Sequence, residues 1–336
     1  MHNDPLGAVL RGALLIDVNY SLISQEVQFT NLHTYKFTNY LLISTMKTFP
    51  ASQLIINDDG SIFHLHLKPE FLADKIILVG DQNRVDMVAS FFDEGSIECN
   101  VQSREFHTIT GKFHGKRISC ISTGIGTDNC DIVMNEIDAL ANIDFATRTE
   151  KAEKRSLEIV RVGTCGGMQE DIPLGTFLVS QKSIGFDGVL AFYEDRDKIS
   201  DLGFEKALVD FIHYPAKAAV PYIVKANEEL VDRIAKNDMM RGCTIAANGF
   251  YGPQGRVLRV NLAVPDINER ISAFRYEGQR ITNYEMEGSC IAGLALHMGH
   301  KAMTVCCVIA QRKTEAANTD YKPRIKELVR TVLKRI

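Results

Sequence analysis

The sequence lacks the features of several large classes of protein. Its longest apolar runs fall well short of the ~20 residues that a membrane-spanning helix needs, so no transmembrane segment is expected. The N-terminal apolar stretch 8–16 is interrupted by Arg11 and lacks the basic start and small-residue cleavage site of a signal peptide. The formal net charge is −4, so the composition gives no indication of nucleic-acid binding.

Disulfide and metal-binding patterns of cysteine are also missing. The eight cysteines are scattered, only Cys306 and Cys307 are adjacent, and no C-x-x-C occurs. This usage predicts reduced thiols and a cytoplasmic location.

The common nucleotide and hydrolase signatures are absent as well. Gly124-Ile-Gly126 lacks the third glycine of the dinucleotide fingerprint, and there is no Walker A motif, HExxH or G-x-S-x-G. A hydride-transfer enzyme or an NTPase is therefore not expected.

What the sequence does contain is an alternation of strand-like and helix-like segments. Short apolar runs at 75–80, 157–160 and 302–309 are typical of buried strands, whereas 128–142, 286–298 and 324–336 have helical periodicity. This alternation predicts an α/β protein. Residues 1–45 show no sustained periodicity, so we expect a loose N-terminal extension, or a misassigned start, and one domain over residues 46–336.

The segment Phe63-His-Leu-His-Leu67 alternates like a strand, which would place His64 and His66 on one face. A His-x-His pair can form half of a metal site, but no third ligand lies nearby in sequence, so no metal site is predicted.

The segment Arg161-Val-Gly-Thr-Cys-Gly-Gly167 directly follows a buried-strand pattern. Ligands of open α/β sheets lie beyond the carboxyl ends of strands, and the fixed fork of an arginine fits a phosphate or a carboxylate. We therefore hypothesise an anion site at Arg161 and Thr164; the alternative is a strand end with a solvated arginine.

Three further segments carry chemically active groups. The glycine-rich 248–256 combines an aromatic ring, an amide and a guanidinium, a set that could stack on a planar ring and hydrogen-bond its edge. The segment 283–288 places two carboxylates at the start of an apolar helix, where charge complementarity with the helix N-terminus is the simpler explanation of Glu287. Arg312 follows a further buried strand.

Together these segments resemble the nucleoside phosphorylase family, which includes uridine phosphorylases and hexameric purine nucleoside phosphorylases. The resemblance covers residues 63–336, and Phe250, Gln254 and Arg256 are similar to the uridine phosphorylase branch. It implies a single-domain, three-layer fold with a central mixed β-sheet flanked by helices. It also implies a pentosyltransferase that converts uridine and phosphate to uracil and ribose 1-phosphate.

The resemblance assigns a role to each matching residue. The phosphate site would comprise Gly80, Arg84, Arg161, Thr164 and, from a neighbouring subunit, Arg104. The ribose site would comprise Met286, Glu287 and His64, which would cross the same interface, and the base site Phe250, Gln254, Arg256 and Arg312. The residues expected to carry catalysis are Arg84, Arg161, Arg256 and Glu287.

The resemblance further implies a homo-oligomer, a dimer or a hexamer, with active sites shared between subunits. No cofactor is expected, because inorganic phosphate is a co-substrate. Some relatives bind potassium between subunits through a glutamate that matches Glu105, but Asn129 stands where a serine ligand is expected, which disfavours the ion. The connector 145–156 is longer than in the family, and residues 1–62 match none of it.

Three other functions remain open at this point. A purine nucleoside phosphorylase would share the fold. A nucleoside hydrolase would not need an arginine-lined anion site. A non-catalytic nucleoside-binding protein would not need to keep every phosphate arginine.

Overall fold

The computed structural model describes residues 47–336, which form one compact unit. The predicted extension over residues 1–45, and the predicted domain start at residue 46, lie outside the described residues.

The described chain alternates strands with helices. The strands are β1 Lys75–Val79, β2 Cys99–Ser103, β3 Phe106–Phe113, β4 Lys116–Ser122, β5 Ile143–Asp144, β6 Thr149–Glu150, β7 Glu158–Gly167, β8 Phe177–Gly185, β9 Tyr222–Lys225, β10 Met240–Ala246, β11 Arg275–Tyr276, β12 Gln279–Glu285 and β13 Lys301–Gln311. The α-helices are α1 Gln82–Ala89, α2 Thr127–Asn142, α3 Arg196–Ile199, α4 Leu202–Ile212, α5 Glu228–Ala235, α6 Ile267–Ala273, α7 Gly288–Met298 and α8 Lys322–Arg335. Short 3₁₀ turns occur at Pro69–Phe71, Val189–Phe192 and Gly252–Gln254. None of these helices is long and apolar enough to cross a membrane.

A large mixed sheet forms the centre of the unit. Its strands follow the order β11-β12-β10-β8-β13-β7-β1-β4-β3-β2, with β9 beside β8. Strand β1 runs parallel to β4 and β7, whereas β13 is parallel to β7 and antiparallel to β8. Because β12 also pairs with β7, strands β12, β10, β8, β13 and β7 close into a ring. The predicted site segments on β7 and β12 therefore lie side by side.

Helices cover both faces of the sheet. On β1, Ile76 and Leu78 pack into a cluster with α2 and α7, while Ile77 and Val79 pack into another with α1, α5 and α8. Successive residues of a strand point to opposite faces, so a strand that is apolar throughout indicates a sheet buried on both sides. The predicted α/β class, with a central mixed sheet between helical layers, is confirmed.

The prediction of a strand at residues 63–67 is wrong. This segment is a turn, closed by hydrogen bonds from the Ile62 N–H to the Leu67 carbonyl and from the His66 N–H to the Ile62 carbonyl. Leu65 and Leu67 are fully buried, whereas His66 is exposed with a φ of 50°. The apolar–polar alternation arose because the turn presses its two leucines into the core.

The prediction that the strand ends before residues 161–167 is also wrong. Strand β7 continues to Gly167, so Arg161 lies within the strand rather than at its end. Glycines are unfavourable in strands in general, but here β13 pairs along β7 as far as Gly167. A Cβ at Gly163 would lie 2.3 Å from Nη1 of Arg161, so the glycine makes room for a guanidinium folded along its own strand.

Two leucines on α7 test how much the helix-on-sheet packing contributes to stability. Leu294 is fully buried and Leu296 is 40% exposed. We expect Leu294→Ala to lower the free energy of unfolding by about 2–5 kcal/mol, because it leaves a cavity. Leu296→Ala is the matched control, with an expected change of roughly 0.5 kcal/mol. Urea denaturation measures both; equal effects would contradict the burial of this face.

Candidate active site

A cavity of about 310 Å³ opens where the ends of β1 and β12 meet the middle of β7. Nine of the sequence-predicted site residues line it, namely Gly80, Arg84, Arg161, Thr164, Phe250, Gln254, Arg256, Met286 and Glu287. They come from segments more than two hundred residues apart in the sequence, from Gly80 to Glu287, and the ring of strands brings them together.

Arg161 is the centre of a buried ion cluster at the floor of this cavity. It is 4% exposed; its Nη1 lies 3.1 Å from Oε2 of Glu285, and its Nη2 contacts Oε2 of Glu287. Nη1 also donates to Sγ of Cys306 at 3.4 Å. Burial alone would lower the pKa of Arg161, but the charges of Glu287 and then Glu285 outweigh it and raise that pKa. Arg161 is therefore a fixed cation, and the interpretation of a solvated arginine is wrong.

The two glutamates of the cluster differ in their remaining contacts. Glu285 accepts hydrogen bonds from the backbone N–H groups of Glu287 and Gly288, at 2.9 and 2.9–3.0 Å, and so caps the start of α7. This cap explains why α7 begins at Gly288 rather than at the predicted Met286. Burial raises the pKa of Glu285, although Arg161 opposes the shift. Glu287 instead accepts from the Gly126 N–H at 2.7 Å and lines the cavity.

A second guanidinium lies near the first. Arg84 follows the Asp81 cap of α1 and donates from Nη1 to the Val162 carbonyl on β7, at 3.1 Å. Burial, and then the charge of Arg161, lower the pKa of Arg84. Two partly desolvated cations that repel each other beside a common cavity would be stabilised by a bound anion. Thr164 and Gly80 also line the cavity.

The other end of the cavity carries the amide, guanidinium and aromatic groups of the 248–256 segment. Arg256 donates from Nη1 to Oε1 of Gln254 at 2.6 Å, and its guanidinium carbon lies 3.7 Å from the ring centroid of Phe250. Arg312 donates from Nη2 to the same oxygen at 3.0 Å. Two donors on Oε1 fix the orientation of the amide and leave its NH₂ group for a ligand. Burial and the charge of Arg312 lower the pKa of Arg256 to about 10, so it stays protonated at neutral pH.

Three predicted residues do not line this cavity. Arg312 lies behind the wall and donates to Gln254, which lines the cavity. Arg104 is exposed at the turn between β2 and β3, and its guanidinium carbon lies 5.8 Å from the ring centroid of Phe63. His64 lines a separate cavity of about 380 Å³, where its Nδ1 lies 2.6 Å from Oε1 of Glu136. The expectation that Arg104 and His64 serve a neighbouring subunit stays a prediction.

The expectation that no potassium ion binds near Glu105 and Asn129 stays a prediction. Glu105 and Asn129 both flank Gly124, where a Cβ would lie 3.2 and 2.5 Å from their side chains. Over residues 47–336 there is no group of three or more His, Cys, Asp or Glu side chains arranged to hold a metal ion.

Sequence reasoning missed several residues of the cavity wall. Tyr284 lies between Asn283 and Glu285 in the segment 283–288, is 1% exposed and lines the cavity. Because 283–288 was already a candidate site segment, Tyr284 could have been predicted as a site residue from the sequence. Tyr321, just before α8, and Ile125, which is 69% exposed, also line the cavity. Tyr321 lies in no distinctive motif, and Ile125 lies in Gly124-Ile-Gly126, which does not match the dinucleotide fingerprint. Only the fold places these two residues at the cavity.

The cavity thus combines three guanidiniums, those of Arg84, Arg161 and Arg256, with carboxylates that include Glu287 and with the Gln254 amide beside the Phe250 ring. This arrangement can hold an anion, a polyol and a planar base side by side, which is the chemistry of a nucleoside together with an inorganic anion.

Comparison with known proteins agrees with a site for a nucleoside and an inorganic anion. The model of the Phosphorylase superfamily matches residues 74–335, so the chain belongs to that superfamily. Uridine phosphorylase of Thermococcus kodakarensis is 27% identical over 278 residues, which cover 80% of this chain and 84% of the relative. A DeoD-type purine nucleoside phosphorylase of Aliivibrio fischeri is 25% identical over 257 residues, covering 76% and 88%.

A solved structure is similar over the same region. The nucleoside phosphorylase of Trypanosoma brucei, described as showing uridine phosphorylase activity, superposes with a TM-score of 0.76 at 28% identity. The match covers 84% of this chain and 100% of that one.

The contribution of the ion cluster to stability can be tested by removing the charge of Arg161 alone, or the charges of Arg161, Glu285 and Glu287 together. We expect Arg161→Met to lower the free energy of unfolding by about 3–5 kcal/mol, because it leaves two carboxylates buried without their partner. Adding Glu285→Gln and Glu287→Gln should restore part of this loss, since no buried charge then remains. Chemical denaturation measures all three proteins.

Arg280→Met is the matched control, because Arg280 forms an ion pair with Asp171 that is largely exposed. Its expected cost is about 0–1 kcal/mol. If Arg161→Met cost no more than this control, the cluster would not be a buried ion network.

Proposed function

We propose that this enzyme catalyses the phosphorolysis of a pyrimidine nucleoside, with uridine and phosphate giving uracil and ribose 1-phosphate. The observation that carries the proposal is the single cavity lined by Arg84 and Arg161 at one end and by Phe250, Gln254 and Arg256 at the other, with Glu287 in its wall. The similarity to uridine phosphorylases of two other organisms supports the choice of uridine.

The anion end would hold the nucleophile. Arg84 and Arg161, with the Thr164 hydroxyl, would bind phosphate and hold one of its oxygens for attack on C1′ of the ribose. Such positioning converts a bimolecular step into an effectively unimolecular one. As the glycosidic bond breaks, positive charge develops on the ribose ring, and the phosphate dianion would stabilise it.

The middle of the cavity would hold the sugar. Glu287 would accept hydrogen bonds from the 2′- and 3′-hydroxyls, because its carboxylate is already oriented by Gly126 and Arg161. Met286, half-buried beside it, would cover the apolar side of the ribose. We propose no metal or organic cofactor for this reaction, since phosphate is the second substrate.

The base end would stabilise the leaving group. Departing uracil carries negative charge on its carbonyl oxygens, and donors placed there lower the barrier. The Gln254 amide NH₂ and the Arg256 guanidinium are such donors, and Phe250 offers an aromatic ring beside them. A purine that failed to match these groups would leave buried donors unpaired, which is costly.

The second candidate is purine nucleoside phosphorolysis, favoured by the similarity to a purine nucleoside phosphorylase. Uridine and inosine, each with and without phosphate, distinguish these candidates when free base and ribose 1-phosphate are followed. Release of base without phosphate would instead indicate a hydrolase, and binding without turnover a nucleoside-binding protein.

Two substitutions test the two ends of the cavity separately. We expect Gln254→Ala to lose most uridine turnover. Arg84→Ala should raise KM for phosphate by roughly ten- to hundredfold, since a charge-assisted hydrogen bond is worth about 1.5–3 kcal/mol.

Arg241→Ala is the control, because Arg241 pairs with Asp232 on the surface, away from the cavity. Wild-type uridine turnover by Gln254→Ala would refute the assignment of the base pocket.

We also propose a cytoplasmic homo-oligomer in which Arg104 and His64 complete the site of a neighbouring subunit. All eight cysteines are free, which supports the location. The exposure of Arg104, and the distance of 5.8 Å between its guanidinium and the Phe63 ring next to His64, support a shared role at one surface. Dimer and hexamer are both compatible with this exchange.

Subunit mixing tests the sharing directly. Arg104→Ala and Arg161→Ala should each be inactive alone, but mixed dimers contain one site with both arginines. After subunit exchange we expect about a quarter of wild-type activity, because about half of the dimers are mixed and each has one complete site of two. Activity that never exceeds that of the separate variants, despite exchange seen by native mass spectrometry, would contradict a shared site.

A further inference from the structure

The base-binding segment is held from behind by Asn268, near the start of α6. Nδ2 of Asn268 donates to the carbonyl oxygens of Gln254 and Gly255, both at 3.2 Å. Its Oδ1 accepts from the Tyr284 hydroxyl, also at 3.2 Å. One side chain therefore contacts the backbone of the base loop and the wall of the cavity.

The backbone at Gly255 fits closely around this side chain. Gly255 has a φ of 66°, and a Cβ at this position would lie 2.4 Å from Nδ2 of Asn268. Glycine is the residue that adopts such a φ at little cost and leaves this space open. The two consecutive carbonyls that face Asn268 belong to the peptide units on either side of Gly255, directly between Gln254 and Arg256.

The contacts of Asn268 close a ring around the base end of the cavity. Gln254 contacts Arg312 through its side chain, and the Arg312 guanidinium carbon lies 5.8 Å from the ring centroid of Tyr284. Tyr284 contacts Asn268, and Asn268 contacts the backbone of Gln254. Gln254 is thus held through its side chain from one side and through its backbone from the other.

We propose that Asn268 is a positioning residue that sets the place of the Gln254 amide and the Arg256 guanidinium against the base. This inference rests on the function proposed above. Asn268 does not line the main cavity, so it acts through the loop and through Tyr284 rather than on the substrate. A shift of the loop by about 1 Å would misplace both donors, and such shifts can cost roughly a hundredfold in rate.

Three variants separate the contacts. Asn268→Ala removes all of them, Asn268→Asp keeps an acceptor for the Tyr284 hydroxyl but turns an oxygen towards two carbonyls, and Tyr284→Phe removes one hydroxyl only. We expect Asn268→Ala and Asn268→Asp to lose roughly ten- to hundredfold in kcat/KM for uridine, with a smaller loss for Tyr284→Phe. KM for phosphate should stay close to wild type in all three.

Glu269→Ala is the matched control, because Glu269 is the exposed next residue on α6. It should leave both kinetic constants unchanged. A similar rise in KM for uridine and for phosphate, together with a lower Tm, would mean that Asn268 has only a structural role and would overturn the proposal. Wild-type kcat/KM for uridine in both Asn268 variants would also overturn it.

Hydrogen exchange of the amides in 248–256, measured without substrate, gives an independent readout. Exchange should rise in the Asn268 variants and stay at the wild-type level in Glu269→Ala, whichever nucleoside the enzyme uses. If the wild-type enzyme did not turn over uridine, the proposed function would fail, and the exchange data would still decide whether Asn268 anchors the loop. Unchanged exchange would refute the anchoring itself.

Discussion

The buried ion cluster of Arg161, Glu285 and Glu287 is the constraint on which the arrangement of the site depends. It joins the middle of β7 to the end of β12 and, through the cap made by Glu285, to the first turn of α7. Burying three charges is costly unless each is paired and hydrogen-bonded. Here the backbone N–H groups of Gly126, Glu287 and Gly288 donate further hydrogen bonds to the two carboxylates. The cluster therefore fixes the relative positions of β7, β12 and α7. Arg84 adds a further guanidinium to the wall of the same cavity.

The same cluster explains how an anion site can coexist with carboxylates. Glu285 is occupied by the helix cap and Glu287 by Gly126 and Arg161, so neither carboxylate is free to bind Arg84. Arg84 is held by a carbonyl oxygen instead, and its positive charge stays directed at the cavity. Since guanidinium groups bind phosphate through several donors at once, an incoming dianion would gain from Arg84 without first breaking a strong ion pair.

Sequence reasoning recovered most of the fold and left specific parts of the site to the structure. The apolar runs at 75–80 and 302–309 predicted strands because burial on both faces of a sheet demands continuous apolar sequence. Local patterns gave wrong predictions in two segments. At 63–67, two buried leucines in a turn produce the alternation that is typical of a strand. At 161–167, the glycines suggested the end of a strand, but they lie within strand β7. Ring closure through β7 and β12 depends on pairing between distant segments, which no local pattern records. For the same reason, no local pattern identifies Tyr321 or the contact of Asn268 with the base loop.

The residues at the two ends of the cavity are positioned differently, because they lie on different kinds of secondary structure. Arg84 and Arg161 lie on a helix and a strand of the central sheet, whereas Gln254 and Arg256 lie on a loop beyond β10. A loop provides less precise placement than a strand unless other contacts fix it. Asn268 and Arg312 supply such contacts, and Oε1 of Gln254 accepts from both Arg256 and Arg312. These hydrogen bonds hold the loop donors in one arrangement, which lowers the entropic cost of binding a base that matches them.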